Sequence, residues 1–432
     1  MKFTNKQILA FIFGLGATIT IRIVGIFAIS DAIAILFLPF IFGKKRMFAD
    51  KHFRNVIILL LLWMFSAIIS DFYNDTEQID SLKGVFGIIP FFACLVFAYW
   101  LLKNNFRLME PFLWGYAISF TVSAGFGLDA FYQEQIARKG MESISSLGYY
   151  NKIIIWIISS FISGAFAISY FKKYPYLVTL VLFVFSFITL LEGSRSTFLI
   201  FFIASLTLFY ILKITKELPW NGFLWQERLG RKIPKFILFA SVLVFAGKNI
   251  YEYGVTKGYM GDDELQKYKM QAISKIGLLS GRGEFVSAVL AIKDAPILGH
   301  GSYAKDKNKY GYSAAVLTGQ DDFSINWNFT RGDDIQIPSH SHLWSAWVFN
   351  GVMGAVFWFY ILFGILLKFI RKRLFSYPKY LAYVLLGIFS LGWNILFSPF
   401  SQKPMLAMAI VFFIMLLRKE SIILERIKKI ND

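Results

Sequence analysis

The chain has 432 residues, of which 56% are hydrophobic and 17% are charged, and its mean hydropathy is +0.56. Soluble domains average about 25% charged residues, so the composition excludes a soluble enzyme and predicts a polytopic helical membrane protein. A net charge of +18 raises the alternative of a nucleic-acid-binding protein, which needs a basic face on a soluble fold. The single cysteine, Cys94, excludes a disulfide framework and any site built from several cysteines.

Apolar runs of membrane-spanning length recur along the chain, and each span takes ~20 residues. About twelve spans are predicted, near residues 8–24, 27–43, 55–70, 84–102, 108–127, 152–170, 175–191, 196–212, 234–247, 342–367, 380–397 and 404–417. Several runs are shorter than a full span, so tilted or re-entrant segments remain open. The first run resembles a signal peptide but carries Arg22 and lacks a small-residue cleavage site, so we expect it to be retained.

Basic residues cluster in alternate loops, which predicts the orientation of the chain. The basic loops lie near residues 44–54, 103–107, 172–173, 213–235, 368–379 and 418–429. The positive-inside rule places these loops and both termini in the cytoplasm. Most of the excess charge is then a topology signal. We therefore expect membrane lipids as partners and no nucleic acid.

One outer loop is far longer than the others, and ordered loops of that length are usually functional. The chain therefore divides into residues 1–247 with nine predicted membrane helices, the loop 248–341, and residues 342–432 with three helices and a cytoplasmic tail. Apolar residues at spacings of three and four predict a loop helix over 283–293, which Pro296 and the glycines after it terminate. Such a helix could lie along the membrane surface. The predicted fold is all-α, with about twelve transmembrane helices and one large, partly helical outer loop.

Two arginines on the predicted outer side are candidates for anion binding, since charges near membrane depth are costly. Arg195 follows Ser194 in a very short turn between two spans. Arg282 follows Ser280-Gly281 at the start of the loop helix, where exposed backbone N–H groups favour an anion. Two guanidinium groups that grip phosphate bidentately suit a lipid diphosphate. For each arginine, a snorkelling or ion-paired side chain is the alternative.

Three of the four histidines, His300, His340 and His342, belong to the same outer region. His340 and His342 lie where the long loop meets the tenth predicted span. Two ligands without a third give a weak metal signal, whereas a neutral imidazole can take a proton from a hydroxyl near neutral pH. His300, next to Gly299 and Gly301, is expected to be structural.

Acidic residues on the long loop offer a second way to neutralise a diphosphate, through a divalent cation. They occur at 262–264, 321–322 and 333–334. A solvated loop surface is the favoured interpretation, because arginines can neutralise the same charge. No metal and no cofactor are predicted.

Three signatures in chain order resemble those of the bacterial O-antigen ligases and O-antigen polymerases. The strongest is His340-Ser341, then nine residues, then Gly351-Val352-Met353-Gly354. The second is an arginine followed by leucine four positions later, Arg195 and Leu199. The third is Ser280-Gly281-Arg282, which opens a loop helix that ends in a Pro- and Gly-rich turn. One departure is that the family commonly has Trp four residues after the loop arginine, where this chain has Val286, with Phe285 beside it.

The resemblance implies an inverting membrane glycosyltransferase of the C type in the bacterial inner membrane, with its active site facing the periplasm. Such an enzyme transfers a glycan from an undecaprenyl diphosphate-linked donor to an acceptor hydroxyl. By this resemblance His340 would be the base, and Arg195 and Arg282 would hold the diphosphate. Ser194, Ser280 and His342 are secondary candidates for substrate binding. The second histidine leaves open which imidazole acts.

Ligase and polymerase differ in the acceptor, which is lipid A–core for a ligase and a carrier-linked repeat unit for a polymerase. The His-Ser and Gly-x-x-Gly form favours the ligase of lipopolysaccharide biosynthesis. A transporter or flippase for lipid-linked glycans is the alternative from another class. Transporters usually place polar sites near the membrane midplane and often show inverted repeats, whereas here the candidate groups are concentrated at the outer face.

Overall fold

A computed structural model of the chain confirms that the protein is mostly helical. It describes residues 4–22, 26–43, 48–125, 154, 157–191, 194–215, 249, 252–259, 265, 268, 283–318, 335–400 and 402–431. Within these residues, four helices are long and apolar enough to cross a membrane: Lys51–Tyr73, Gln78–Leu102, Arg195–Lys213 and the continuous helix His342–Arg373. Shorter apolar helices cover Ile29–Phe42, Ile157–Tyr170, Pro175–Leu190 and Leu381–Phe397. The twelve predicted spans are not confirmed, and the span at 234–247 lies outside the described residues.

The elements follow one another in chain order. They are α1 (Asn5–Leu15), β1 (Thr20–Arg22), β2 (Ile26–Ala28), α2 (Ile29–Phe42), α3 (Lys51–Tyr73), α4 (Gln78–Leu102), α5 (Met109–Gly125), α6 (Ala167–Tyr170), α7 (Pro175–Leu191), α8 (Arg195–Thr215), α9 (Gly283–Asp294), α10 (Tyr310–Thr318), α11 (His342–Phe359), α12 (Lys368–Arg373), α13 (Leu381–Phe397) and α14 (Lys403–Asn431). Two π-helices, Phe161–Phe166 and Tyr360–Leu367, directly precede α6 and α12. Short 3₁₀ turns occupy Phe106–Leu108 and Pro378–Tyr380.

The first predicted span, 8–24, is wrong as a continuous helix. Helix α1 ends at Leu15 with Gly16 as its C-cap, and β1 then pairs antiparallel with β2, with Thr20 opposite Ala28. The apolar run after Gly16 is rich in β-branched residues, which lose side-chain freedom in a helix and favour strands. Hydropathy alone does not separate such a run from a membrane helix. This part of the chain is instead a short helix followed by a hairpin.

The chain forms two compact units. One comprises Met1–Ala130, Gln271–Arg371 and Leu391–Asp432, and the other comprises Phe131–Met270 and Lys372–Ser390. In the second unit α7 packs against α8 through aromatic pairs, including Phe185 on Phe201 with ring centroids 5.6 Å apart. The first unit contains the whole of α1–α5, α9–α11 and α14, and both histidines of the predicted His-x-His pair belong to it.

Small residues allow close helix packing in the first unit. On α1, a Cβ at Gly14 would collide with the Phe112 carbonyl oxygen of α5. On α5, a Cβ at Gly115 would collide with the Phe11 carbonyl oxygen of α1. Such reciprocal close approaches are typical of helix pairs in membranes, where packing replaces the hydrophobic effect as the driving force.

Large apolar side chains project outward from several of these helices. Phe40 on α2 is 76% exposed, Phe65 on α3 is 61% exposed and Leu180 on α7 is 57% exposed. Extended apolar patches are rare on soluble monomers and mark surfaces that contact a membrane or another protein. The exterior therefore agrees with the membrane character indicated by the four long apolar helices.

The helix predicted over 283–293 is confirmed as α9, Gly283–Asp294. Its buried residues Ser287, Ala288 and Ala291 face inward. Ala288 and Ala291 join a small core whose other buried members are Ala304, Tyr310, Ile337 and Val348. The helix thus packs on α10 and α11 through one face. This contact fixes the predicted outer segment against the helix that begins at His342.

Candidate active site

The segment that leads into α11 holds the two candidate histidines in different environments. His340 is exposed, in a stretch without regular secondary structure that leads into α11. Ser341 is the N-cap of α11: its side chain accepts a hydrogen bond from the Trp344 N–H at 3.1 Å and donates to the Ile395 carbonyl at 2.8 Å. A capped helix start held by a second helix fixes the backbone beside His340.

His342 is only 3% exposed, two residues further along. Its Nδ1 lies 2.7 Å from the Ser398 carbonyl oxygen, which can only accept, so Nδ1 carries the hydrogen and donates it. The ring packs edge-on against Trp358 at 4.9 Å and Phe400 at 5.5 Å. This geometry fits an anchoring role, whereas His340 has the access to solvent that a base for an incoming hydroxyl needs.

The first glycine of the signature, Gly351, bends α11. Its φ of 68° and ψ of −163° interrupt the helix, in a region that is essentially restricted to glycine. A Cβ at this position would collide with the Ile297 carbonyl oxygen. That carbonyl accepts a hydrogen bond from the Val352 N–H at 3.1 Å. The glycine therefore lets the turn after α9 bind directly to the interrupted helix.

Backbone groups freed by this bend are satisfied from two sides. On α3, Ser66 donates to the Asn350 carbonyl at 2.7 Å, and Ser70 donates to the Phe349 carbonyl at 3.0 Å. From the turn after α9, the His300 N–H donates to the Val348 carbonyl at 2.9 Å. Buried backbone carbonyls need such partners because an unpaired one costs the full desolvation penalty.

The second glycine, Gly354, provides space inside the bent helix. A Cβ there would collide with the Ala346 carbonyl oxygen, eight residues earlier. The two glycines of the signature are thus explained by helix geometry. They shape α11 and its contact with the turn after α9, and neither needs to touch a substrate.

The turn that follows α9 is clamped by a buried carboxylate. Asp71 at the end of α3 is 6% exposed, and its oxygens accept from the Ser302 N–H and the Ser302 hydroxyl, both at 2.6 Å. Ser81 donates to the same carboxylate at 2.8 Å. Gly299 and Gly301 have φ of 77° and 103°, conformations that other residues rarely adopt. The contact between Asp71 and Ser302 could not be predicted from the sequence, because Asp71 is one of several acidic residues in a predicted outer loop.

Asp71→Asn is expected to lower the free energy of unfolding by about 2 kcal/mol, because an amide nitrogen cannot accept the hydrogen bonds that the carboxylate oxygens take. Thermal or denaturant unfolding in detergent measures the change. The matched control is Asp75→Asn: Asp75 is exposed and has a φ of 47°, which asparagine tolerates, so its stability should stay near that of the wild type. Equal losses in the two variants would contradict the clamp.

His300 has the structural role predicted for it. Its Nε2 lies 2.8 Å from the Ala291 carbonyl of α9, and its ring packs at 5.3 Å from that of Tyr310. Burial raises the pKa of Tyr310 to about 12, so its phenol stays protonated at neutral pH and donates to Asp294 at 2.7 Å. The histidine therefore joins α9 to α10.

Aromatic side chains near the start of α11 were not singled out from the sequence. Phe285 of α9 packs edge-on against Trp344, with centroids 5.3 Å apart, and Trp344 stacks with Trp347 at 6.2 Å. The Trp347 indole donates to the Pro296 carbonyl at 2.9 Å. Phe285 and Trp344 are far apart in sequence, so this contact was not evident before the fold was known.

Arg195, the second candidate, is the first residue of α8 and is half-buried. The Ser194 hydroxyl before it donates to Thr197 at 2.8 Å, and the Ser194 carbonyl accepts from the Phe198 N–H at 2.9 Å. Ser194 therefore directly precedes α8, and its hydroxyl binds Thr197 within the first turn. The predicted substrate contact of Ser194 stays a prediction.

Arg282 and Ser280 lie outside the described residues, as do the acidic residues at 262–264, 321–322 and 333–334. Helix α9 begins at Gly283, so Arg282 directly precedes a helix N-terminus in the chain, as predicted. Within the described part of the chain, no group of three or more His, Cys, Asp or Glu side chains is placed to hold a metal ion.

Comparison with known proteins adds no family assignment. The chain matches no protein-family model and no curated protein.

Proposed function

We propose that the protein is an inner-membrane glycosyltransferase that transfers a glycan from an undecaprenyl diphosphate-linked donor to an acceptor hydroxyl in the periplasm. The observation that carries the proposal is the exposed imidazole of His340, next to a capped helix start, in the signature His340-Ser341…Gly351-Val352-Met353-Gly354. The acceptor we favour is lipid A–core, which makes the protein an O-antigen ligase. Both termini then lie in the cytoplasm.

In the proposed reaction the neutral imidazole of His340 takes the proton of the acceptor hydroxyl. The acceptor oxygen attacks the anomeric carbon from the face opposite the diphosphate, and a new carbon–oxygen bond forms as the bond to the diphosphate oxygen breaks. The leaving diphosphate keeps the electron pair, and the anomeric configuration is inverted. Diphosphate is a good leaving group, so no general acid is needed.

Arg195 and Arg282 are proposed to bind the donor diphosphate and stabilise the charge that develops on it. The guanidinium plane matches two phosphate oxygens at once, and an arginine stays charged at any pH at which the protein is folded. The proposal requires that both arginines and His340 face one site on the outer side.

The aromatic group Phe285, Trp344 and Trp347 supports a glycan substrate. An indole combines a broad apolar face with a polar N–H, and such side chains are common where one surface must contact both apolar and polar groups. Trp344 is the fourth residue after His340, and Trp347 is the seventh, so the two indoles and the proposed base belong to the same stretch of chain. Sugar rings, with apolar C–H faces and polar edges, are ligands of this character.

Arg195→Ala and Arg282→Ala are each expected to reduce kcat/KM for the lipid-linked donor by roughly 10²-fold, the size found when one transition-state donor is removed. The corresponding Lys variants should lose less, since they keep the charge and lose only the bidentate geometry. Steady-state transfer assays at varied donor concentration measure the difference. Arg107→Ala, an exposed arginine of the predicted cytoplasmic side, is the matched control. Equal tolerance of Ala and Lys at 195 and 282 would contradict phosphate binding.

Transfer in vitro tests the function. Purified protein is mixed with an undecaprenyl diphosphate-linked glycan and, separately, with lipid A–core or a second carrier-linked repeat unit. Glycosylated lipid A–core is the expected product, and elongated carrier-linked glycan would assign a polymerase instead. Movement of the donor across a vesicle membrane without any transfer would contradict the proposal and support the transport alternative.

A further inference from the structure

A groove of about 550 Å³ opens between α3 and the π-helix that continues α11, and the proposed reaction does not use it. Its apolar lining is Ile58, Leu59, Val356, Phe359 and Phe363. Both walls belong to helices of membrane-spanning length. Ile58 is 48% exposed and Phe363 is 55% exposed, so the groove opens outward from the helix pair. In a membrane it faces the acyl chains.

Polar side chains form one side of the groove and continue beyond it. Asn55 and Tyr360 line the groove, and the Asn55 amide lies 3.2 Å from the Tyr360 oxygen. His52, one turn earlier on α3, places Nδ1 3.3 Å from the same oxygen and Nε2 3.0 Å from the Lys368 ammonium. Helix α3 runs antiparallel to α11 and the π-helix that continues it. Ser70, near the end of α3, contacts Phe349, whereas Asn55, near its start, contacts Tyr360. This end therefore lies toward the start of α3.

The hydrogen-bond pattern of this network leaves the Tyr360 hydroxyl hydrogen without an acceptor among the described residues. An ammonium group can only donate, so Lys368 makes Nε2 of His52 the acceptor and leaves the ring hydrogen on Nδ1. Nδ1 then donates to the Tyr360 oxygen, and so does the Asn55 amide. The oxygen already accepts two hydrogen bonds, and the phenol hydrogen has no acceptor among the described residues. A ligand with an acceptor oxygen would satisfy it.

Basic residues lie on both helices toward this end of the groove. Lys51 and Arg371 are exposed, and Lys368 is half-buried. The nearby Asp50 is occupied as the N-cap of α3, where it accepts from the N–H groups of His52 and Phe53, and it faces Arg418 at 3.7 Å. No acidic side chain lines the groove in the part of the chain that the structure describes. Basic pockets between membrane helices on the cytoplasmic side are suited to anionic lipid headgroups.

We propose that the groove is a binding site for an anionic phospholipid of the predicted cytoplasmic leaflet. One acyl chain lies along the apolar walls, an oxygen of the lipid accepts the Tyr360 hydrogen, and the phosphate lies by Lys368. The site lies toward the predicted cytoplasmic end of these two helices, so it is distinct from the outer-side site proposed for glycan transfer. It requires membrane insertion and does not depend on that reaction.

Native mass spectrometry of the purified full-length protein, titrated with phosphatidylglycerol or with phosphatidylcholine of the same acyl chains, tests the site. The wild type should bind phosphatidylglycerol more tightly than phosphatidylcholine. Lys368→Gln should weaken phosphatidylglycerol binding roughly tenfold, the size of one charge-assisted hydrogen bond, and Lys368→Arg should retain most of it. The matched control, Arg107→Gln, removes one exposed charge from the same predicted face without touching the groove.

Two further variants keep the test decisive if Lys368→Gln is poorly folded. Tyr360→Phe removes only the hydroxyl and should weaken phosphatidylglycerol binding several-fold. Ile58→Trp fills the apolar part of the groove and should reduce binding of both lipids. Equal affinity of the wild type for the two lipids, or equal losses in Lys368→Gln and Arg107→Gln, would overturn the proposal and leave an ordinary lipid-facing surface.

Discussion

Replacing His340 with alanine is expected to reduce glycan transfer by 10²- to 10⁴-fold, roughly the contribution of a positioned general base. The side chain is exposed and makes no hydrogen bond to a described residue, so its removal leaves the fold intact. The variant should insert, purify and unfold like the wild type while failing to transfer. Product formation from a carrier-linked glycan, measured at saturating donor and acceptor, gives the loss.

His342→Ala is the matched comparison. It removes the hydrogen bond to Ser398 and the ring that packs against Trp358 and Phe400, so it should lower stability more than it lowers transfer per folded molecule. The reverse pattern, with His340→Ala active and folded His342→Ala inactive, would move the base to His342.

Gly351→Ala is expected to destabilise the protein by about 3 kcal/mol or more, because it combines a left-handed backbone conformation with a steric collision. The new Cβ would meet the Ile297 carbonyl, which also accepts the Val352 N–H. Separating them moves the turn after α9 away from α11. Thermal unfolding in detergent should show a large decrease in Tm, and transfer should fall with it.

Gly87→Ala provides the control for this glycine. Gly87 lies inside α4 with no heavy atom within 4 Å of the position of an added Cβ. Alanine there should leave stability unchanged or raise it by up to about 1 kcal/mol, because alanine is the better helix former. Similar destabilisation at both positions would contradict the role assigned to the bend.

The sequence predicted best those elements whose signals are local. The loop helix α9 was placed to within a residue, since its apolar spacing and the Pro296 that follows it are both local features. The hairpin after α1 was missed, because the apolar run masks the strand preference of its β-branched residues. The predicted number of membrane spans rests on hydropathy too, so an apolar hairpin can be counted as a membrane helix.

The candidate site shows a similar division. The residue types at 340–342 and 351–354 singled out the start and the bend of α11 as special. The different environments of His340 and His342 depend on Ser398 and Phe400, more than fifty residues away, and no local pattern contains that contact. The Asp71 clamp on Ser302 is equally remote in sequence.

The central proposal is that His340, Arg195 and Arg282 act in one reaction on the predicted outer side of the membrane. The native Cys94 is fully buried, so a maleimide should react with cysteines introduced at 195, 282 or 340 and not with Cys94. The direct measurement pairs His340→Cys with Arg195→Cys, and separately with Arg282→Cys, and treats cells with a short, membrane-impermeant bifunctional maleimide. Both pairs should cross-link within one chain, while His340→Cys paired with Arg107→Cys should not. Failure of both pairs to cross-link, with positions 195 and 340 labelled from opposite sides of the membrane, would contradict the claim.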